Sequence, residues 1–424
     1  MEKGLMFDES FILKLKEKFY FVDEDDVYGE RLFFDNSGGS LRLKKCVESK
    51  AELECLPDCP ERTHQKAKDL KKVVVAGTED ILKIIFGAKS GALVTELTAS
   101  QTMFQMIKII METEGGDNVV VSSLEHPSAF DAVEFYAKKT GRELRVIPAD
   151  KVTGGINVED VVKLVDKNTK LVSVMGASNV TGRIINVKEI AKRVREINPD
   201  IYVVCDMVQH APHSKIDVED LGVDCANFAP YKFFGVRGCG FGYVSDRVAK
   251  LPHHKLIAKD EKVFELGTPS PGNFSATLEI INYVCEIGEE FIGKTSREDA
   301  YNEGMRRIHL QERALLNRLL EGSEEVEGLR HIDKVKVHVD DKDLTKRDLI
   351  VAMGIEGIDY SDLVKEYEKR NIIVCDRVRS SMYAKRIIEA IGIGGAIRVS
   401  PLHCHSAKDI DKFLKVTKEI ASSL

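Results

Sequence analysis

The 424-residue chain has no block of basic residues: 62 Lys+Arg stand against 69 Asp+Glu, a formal net charge of −7. A nucleic-acid binder usually displays a basic face, so no nucleic-acid partner is expected. No apolar run approaches the roughly 20 residues that span a bilayer, so no membrane partner is expected either. The N-terminal stretch MEKGLMFDESFILKLKEKF is too charged for the apolar core of a secretion signal, and a cytoplasmic location is expected. The nine cysteines are odd in number and scattered, which fits reduced thiols packed as small hydrophobes. Cys55 and Cys59 lie near His64, but the second ligand pair of a structural zinc site is missing and no metal is expected. Gly235 to Gly242 lacks the glycine order and following acid of a dinucleotide loop and reads as a turn. Internal repeats and low-complexity segments are absent.

What is present is alternation. A chain of this length exceeds one comfortable core. From about residue 66 to 250, apolar strand-like runs alternate with helical spacing, the pattern of an α/β layer fold with a mostly parallel sheet. Thr98 to Thr113 reads as a helix capped by Thr98 or Ser100, and a later helix closes at Gly141. After about Thr268 a long helical stretch, Ala276 to Leu320, leads into shorter strands at VKVHV, NIIVCD and AIRVS and a capped final helix. We expect a large domain over residues 31–285 and a smaller α+β domain over 286–424, joined by the N-terminal segment 1–30.

In open α/β sheets chemistry gathers at the carboxyl ends of strands. Those ends carry Ser100 and Gln101, His126, Asn179, Asp206, Gln209 and His210, then Tyr231 and Lys232. Lys232 sits among proline, aromatics and a glycine-rich turn, where desolvation lowers an amine's pKa and favours a nucleophile. An acid deep in such a site, as Asp206 at a strand end would be, is what a cofactor's pyridinium nitrogen needs to stay protonated. Each residue also has a plainer reading: a helix cap for Asp206, a loop histidine for His126, a surface ion pair for Arg398.

From FFDNSGGSLR to AIRVSPLHCHSAKDIDKF, the ordered motifs resemble the class V aminotransferase and cysteine desulfurase family of pyridoxal-phosphate enzymes, fold type I. The resemblance implies a fold type I large domain with a smaller α+β domain, pyridoxal 5′-phosphate as cofactor, and a homodimer with shared sites. Lys232 would be the Schiff-base lysine and move the α-proton. Asp206 would pair with the ring nitrogen, Gln209 with the phenolic oxygen, and His126 would stack on the ring. Asn179 would lie near the ring oxygen, while Ser100 and Gln101 would hold the phosphate. Thr268 would reach the partner subunit's phosphate. Arg398 would clamp the substrate carboxylate, with the Asn36–Ser37–Gly38 loop covering the substrate.

The departures from the family pattern bear on the reaction. The position matching the desulfurase nucleophile is Ser380; Cys375, a few residues earlier where an arginine is often found, is the alternative thiol that could still reach. Tyr231 stands before the lysine in place of the usual histidine, and Ala229 replaces a serine that often assists the phosphate. Arg377 and Arg379 are candidates for a second anion contact, pointing to an acidic substrate, or are solvated loop arginines. The resemblance implies an enzyme acting on an amino acid through an external aldimine. Transamination is the leading reaction; the alternatives are cysteine desulfuration, C–S lysis or epimerisation by the same carbanion. A catalytically silent scaffold and an NAD-dependent oxidoreductase are the readings from other classes.

Overall fold

A computed structural model describes residues 2–424. Its centre is a seven-stranded sheet of β1 (Ala92–Glu96), β2 (Asn118–Ser122), β3 (Glu143–Ile147), β4 (Thr169–Met175), β5 (Tyr202–Asp206), β6 (Cys225–Phe228) and β7 (Gly240–Val244). In space the order is β1-β7-β6-β5-β4-β2-β3. Every pairing is parallel except those of β7, which runs antiparallel to both β1 and β6. The valine-rich strands β2, β4 and β5 are buried on both faces. That explains their unbroken apolar runs: each buried Val, Ile or Leu contributes about 1.5–3 kcal/mol, more than the weak β-propensity differences.

Helix boundaries follow local chemistry. The Ala99–Met111 helix is capped by Thr98, whose side chain accepts from the Gln101 N–H at 3.1 Å. The Pro127–Thr140 helix starts at His126 and ends at Gly141, where φ of 71° suits a glycine. The final helix, Ala407–Ser423, opens with a capping box of Ser406 and Asp409.

The single helical stretch expected from Ala276 to Leu320 is instead two helices, Pro271–Ile292 and Arg297–Glu321. Gly293, at φ 74°, stops the first, and Ser296 caps the second by accepting from the Asp299 N–H. The pair pack backbone against backbone: a Cβ on Gly288 would lie 1.9 Å from the Ala300 carbonyl oxygen, and one on Gly304 would lie 2.0 Å from that of Val284.

A second, antiparallel sheet contains β8 (Val335–Val337), β9 (Val351–Ile355), β10 (Cys375–Val378) and β11 (Gly395–Val399), in the order β8-β9-β11-β10. Its core takes in Leu315 to Leu320 and, from the start of the chain, Leu32 and Phe34. The expected boundary near residue 285 falls inside the Pro271–Ile292 helix; the two cores change over one helix later, between Ile308 and Leu315. Leu32–Phe33 pairs in parallel with Ile372–Ile373, so NIIVCD is split between that short pairing and β10. Among the described residues no helix is long and apolar enough to cross a membrane.

Candidate active site

A cavity of about 210 Å³ opens at the carboxyl ends of β4 and β5. Its lining includes Ser100, His126, Asn179, Asp206, Gln209 and Lys232, six of the residues singled out in the sequence. Asp206 is the last residue of β5; burial raises its pKa, while the Val208 N–H, donating to Oδ1 at 3.0 Å, and Lys232 act in the opposite direction. Behind it lies fully buried Glu125, whose carboxyl is pushed well above the usual range by burial and by Asp206. Asn179 and Gln209 each present a buried side-chain oxygen with no hydrogen-bond partner. His126 is tied through Nδ1 to the Ser128 hydroxyl at 2.7 Å. Burial, with Lys232, Arg377 and Arg386 nearby, pushes its pKa down to about 3, so the ring is a neutral flat surface.

Lys232 lies on the connection from β6 to β7, in a short Pro230–Lys232 turn. Burial pushes its pKa down to about 7, assisted by Arg398 and Arg377 and opposed by Asp206 and Asp35. The turn is held from several directions. Ser40 N–H donates to the Tyr231 carbonyl at 3.1 Å, and Arg42 donates to the same oxygen at 2.6 Å. Phe234 takes φ of 63°, rare for a bulky residue, and its N–H donates to Ser40 Oγ at 2.9 Å. The FFDNSGGSLR segment therefore braces the lysine turn. A helix N-terminus, an acid at a strand end, a neutral imidazole, two orphaned amide oxygens and a desolvated amine fit pyridoxal phosphate.

Beyond Lys232 lies a second buried basic side chain. Arg398 on β11 is 3% exposed; Nη2 donates to Asp35 at 2.6 Å and Nη1 to the Asn179 carbonyl at 3.1 Å. Its Nε is buried without a partner. Asp35 is fixed there because the adjoining backbone bonds that of Ser400: Asn36 N–H to Ser400 O at 3.2 Å and Ser400 N–H to Phe34 O at 2.7 Å. Cys375 is the direct cross-strand partner of Arg398. Burial, and then Asp35, raise its thiol pKa. Ser380 and Arg379 are exposed, whereas Arg377 is buried.

Other expected residues sit elsewhere. Gln101 contributes its backbone to the helix cap, but its exposed side chain does not line the cavity. Asn36 spends its amide on the backbone, donating to Phe33 O and Ser400 O and accepting from Leu41 N–H. Ser37 is buried behind Gln209, which donates to its hydroxyl at 3.4 Å, and Gly38 turns over Asp35. Thr268 is exposed and lines a separate recess of about 860 Å³. His64 caps the Gln65–Asp80 helix, accepting from the Ala67 N–H at 3.3 Å.

Three neighbours of the site were not singled out from the sequence. Arg237 lines the cavity, with its guanidinium 4.2 Å from the Tyr231 ring centroid. Asp35 holds Arg398, and Tyr383 stacks on His126 with centroids 5.9 Å apart. Two carried a signal: Asp35 and Arg237 lie inside the motifs FFDNSGGS and YKFFGVRGCG. Tyr383 lies on a loop with no such pattern.

Several known proteins are similar to this chain. A probable cysteine desulfurase of Pyrococcus abyssi is 26% identical, over 93% of this chain and 95% of its own. The human selenocysteine lyase is 27% identical over 60% of this chain and 64% of its own. The apo cysteine desulfurase of Thermococcus onnurineus NA1 superposes with a TM-score of 0.81 at 23% identity, covering 99% of this chain and all of that one, which shows the shared fold. The family model described as Aminotransferase class-V matches residues 32–413. The chain belongs to the class-V aminotransferase family.

Proposed function

We propose that this protein is a pyridoxal-phosphate enzyme of the desulfurase-like branch. It cleaves the bond between the β-carbon of a cysteine-like amino acid and its sulfur-type leaving group, releasing that group to solvent. The names of the relatives, desulfurase and selenocysteine lyase, support cleavage at the β-carbon over transamination. The observation that carries the solvent-release reading is Cys375. It stands on a strand rather than the loop, burial and Asp35 keep its thiol protonated, and the loop position holds Ser380. A thiol, unlike a thiolate, is a poor sulfur acceptor.

Asp206, Asn179, Gln209 and Lys232 would hold the cofactor, which when bound supplies a protonated ring to take up electron density from the α-carbon. Arg398 receives the α-carboxylate and orients the Cα–H toward Lys232. The neutral amine of Lys232 accepts the α-proton. The Cβ–S bond breaks with its electron pair going to sulfur, and water converts the released enamine to a 2-oxo acid and ammonia. Nothing is oxidised or reduced overall.

We further propose a cytoplasmic homodimer. Nine free cysteines suit a reducing compartment, and Thr268 lines an exposed recess with the exposed Leu97 and Leu266, where a second copy would cover it.

The test is product analysis with β-substituted amino acids, beginning with L-cysteine. Equal amounts of sulfide, pyruvate and ammonia, retained in Cys375→Ser, are expected. Alanine in place of pyruvate, with activity lost in Cys375→Ser, would establish desulfuration through that thiol. One equivalent of 2-oxo acid, followed by arrest until another oxo acid is added, would establish transamination.

A further inference from the structure

Two buried arginines, not one, face the substrate end. Cys375 and Arg377 are alternate residues of β10 and so share a face, and Cys375 is paired directly with Arg398. The two guanidiniums are in the same half-satisfied state. In Arg398 one arm reaches Asp35 and another the Asn179 carbonyl, leaving Nε buried and unpaired. In Arg377 Nη2 donates to the Tyr383 carbonyl at 2.9 Å, and Nε is again buried and unpaired. Arg377 is 9% exposed, and among the described residues no carboxylate lies within ion-pair distance of it. Buried charges are ordinarily paired, so an uncompensated guanidinium beside a site is a place prepared for an anion. Arg377 does not itself line the cavity of about 210 Å³, but it lies near enough to Lys232 and to His126 to act on both electrostatically. Around Lys232 the two guanidiniums, Arg377 and Arg398, act against two carboxylates, Asp206 and Asp35; Asp206 is at the cofactor end and Asp35 is already bonded to Arg398. A single α-carboxylate would satisfy Arg398 and leave Arg377 without a partner.

We infer that Arg377 is a specificity residue that binds a second anionic group, so that the substrate is a dianionic amino acid whose side chain carries an acid, such as a carboxylate borne on the sulfur leaving group; L-aspartate and L-cysteine sulfinate serve as binding probes of that second charge. The inference rests on the reading of the cavity as an amino-acid site and deepens it by naming the substrate class. The exposed Arg379 has no part in it; its guanidinium only approaches the Ile393 carbonyl, at 3.4 Å.

The test is calorimetric titration of the pyridoxal-phosphate-loaded protein with L-aspartate, L-asparagine and L-cysteine sulfinate, which reads binding independently of turnover. L-Aspartate and the sulfinate are expected to bind at least about 10-fold more tightly than L-asparagine, the scale of one charge-assisted hydrogen bond. Arg377→Gln should abolish that preference and Arg377→Lys retain part of it, while affinity for L-asparagine stays within about 2-fold. Lysine keeps the charge and guards against a folding failure in the glutamine variant. Equal affinity for L-aspartate and L-asparagine, or a preference unchanged in Arg377→Gln, would overturn the inference. Preference for the dianions without cleavage of any β-substituted amino acid would overturn the proposed reaction and leave the anion site standing.

Discussion

At Lys232, the burial that positions the amine also sets its protonation. Its pKa is pushed down to about 7, and only the neutral amine condenses with an aldehyde. The rate at which cofactor-free protein takes up pyridoxal phosphate should therefore rise with pH through about 7 and level off above it, as read by borohydride trapping and mass spectrometry. A rate still climbing toward pH 10 would show an ordinary solvated lysine. Arg237 invites a second prediction. It lines the cavity where Ala229 offers no hydroxyl and Tyr231 replaces an imidazole. Losing one charged hydrogen bond costs about 1.5–3 kcal/mol, so Arg237→Ala should weaken cofactor binding roughly 10- to 100-fold in equilibrium dialysis. The cofactor end was legible because Asp206, Gln209 and Lys232 stand at strand ends in short motifs. Asp35 was not, because its ion pair with Arg398 joins residues from opposite ends of the chain.

Among the elements, the Arg297–Glu321 helix is tied to the site's supporting loops by one buried carboxylate. Glu312 bonds His213 Nδ1 at 2.7 Å and accepts from the His403 N–H at 3.2 Å; His403 in turn meets Tyr283 at 2.7 Å. Burial alone would raise the Glu312 pKa, but His213 and His403 hold it down to about 2. Burial likewise opposes charge on His213, and Glu312 overcomes it and raises that pKa. The carboxylate's contribution is therefore present above its ordinary value near 4.5 and is lost as pH falls toward 2. That of the histidine is present below 6.5 and fades as pH rises through its raised value. Glu312→Gln should cost about 3–5 kcal/mol at pH 6 and remove most of the stability change between pH 5 and 2, measured by denaturant titration. A loss below 1 kcal/mol would mean that the pair contributes little. None of this network was legible in the sequence. VQHAPH and PLHCH read as loop histidines until the helix between them supplies the acid. The helix break at Gly293 carried a glycine and a capping serine, but the apolar spacing on either side concealed it.

The molecule as a whole leaves apolar side chains exposed in the recess lined by Thr268, where Leu97 is 68% and Leu266 56% accessible. If this is the contact between two copies, Leu266→Asp should yield a folded monomer by sedimentation velocity, with weakened cofactor binding because Thr268 no longer reaches its neighbour's site. A wild-type monomer with full cofactor affinity would remove the shared-site proposal. The α/β layering was legible from alternation alone, since buried parallel strands must be apolar throughout. The order of strands in space was not, and one feature of it has a consequence in time. β1, which leads into the Thr98 cap and the helix N-terminus beside Lys232, pairs only with β7, the last strand of the sheet to be made. Gly240 is the residue that lets the two come together, with the Thr98–Ala99 turn pressed against the position where its side chain would stand. Such long-range closure is intrinsically slow. As the chain leaves the ribosome, the edge that will cradle a phosphate waits without a partner until most of the large sheet has been synthesised. Free pyridoxal phosphate in the cell then has no finished site on the nascent chain, and loading belongs to the end of folding.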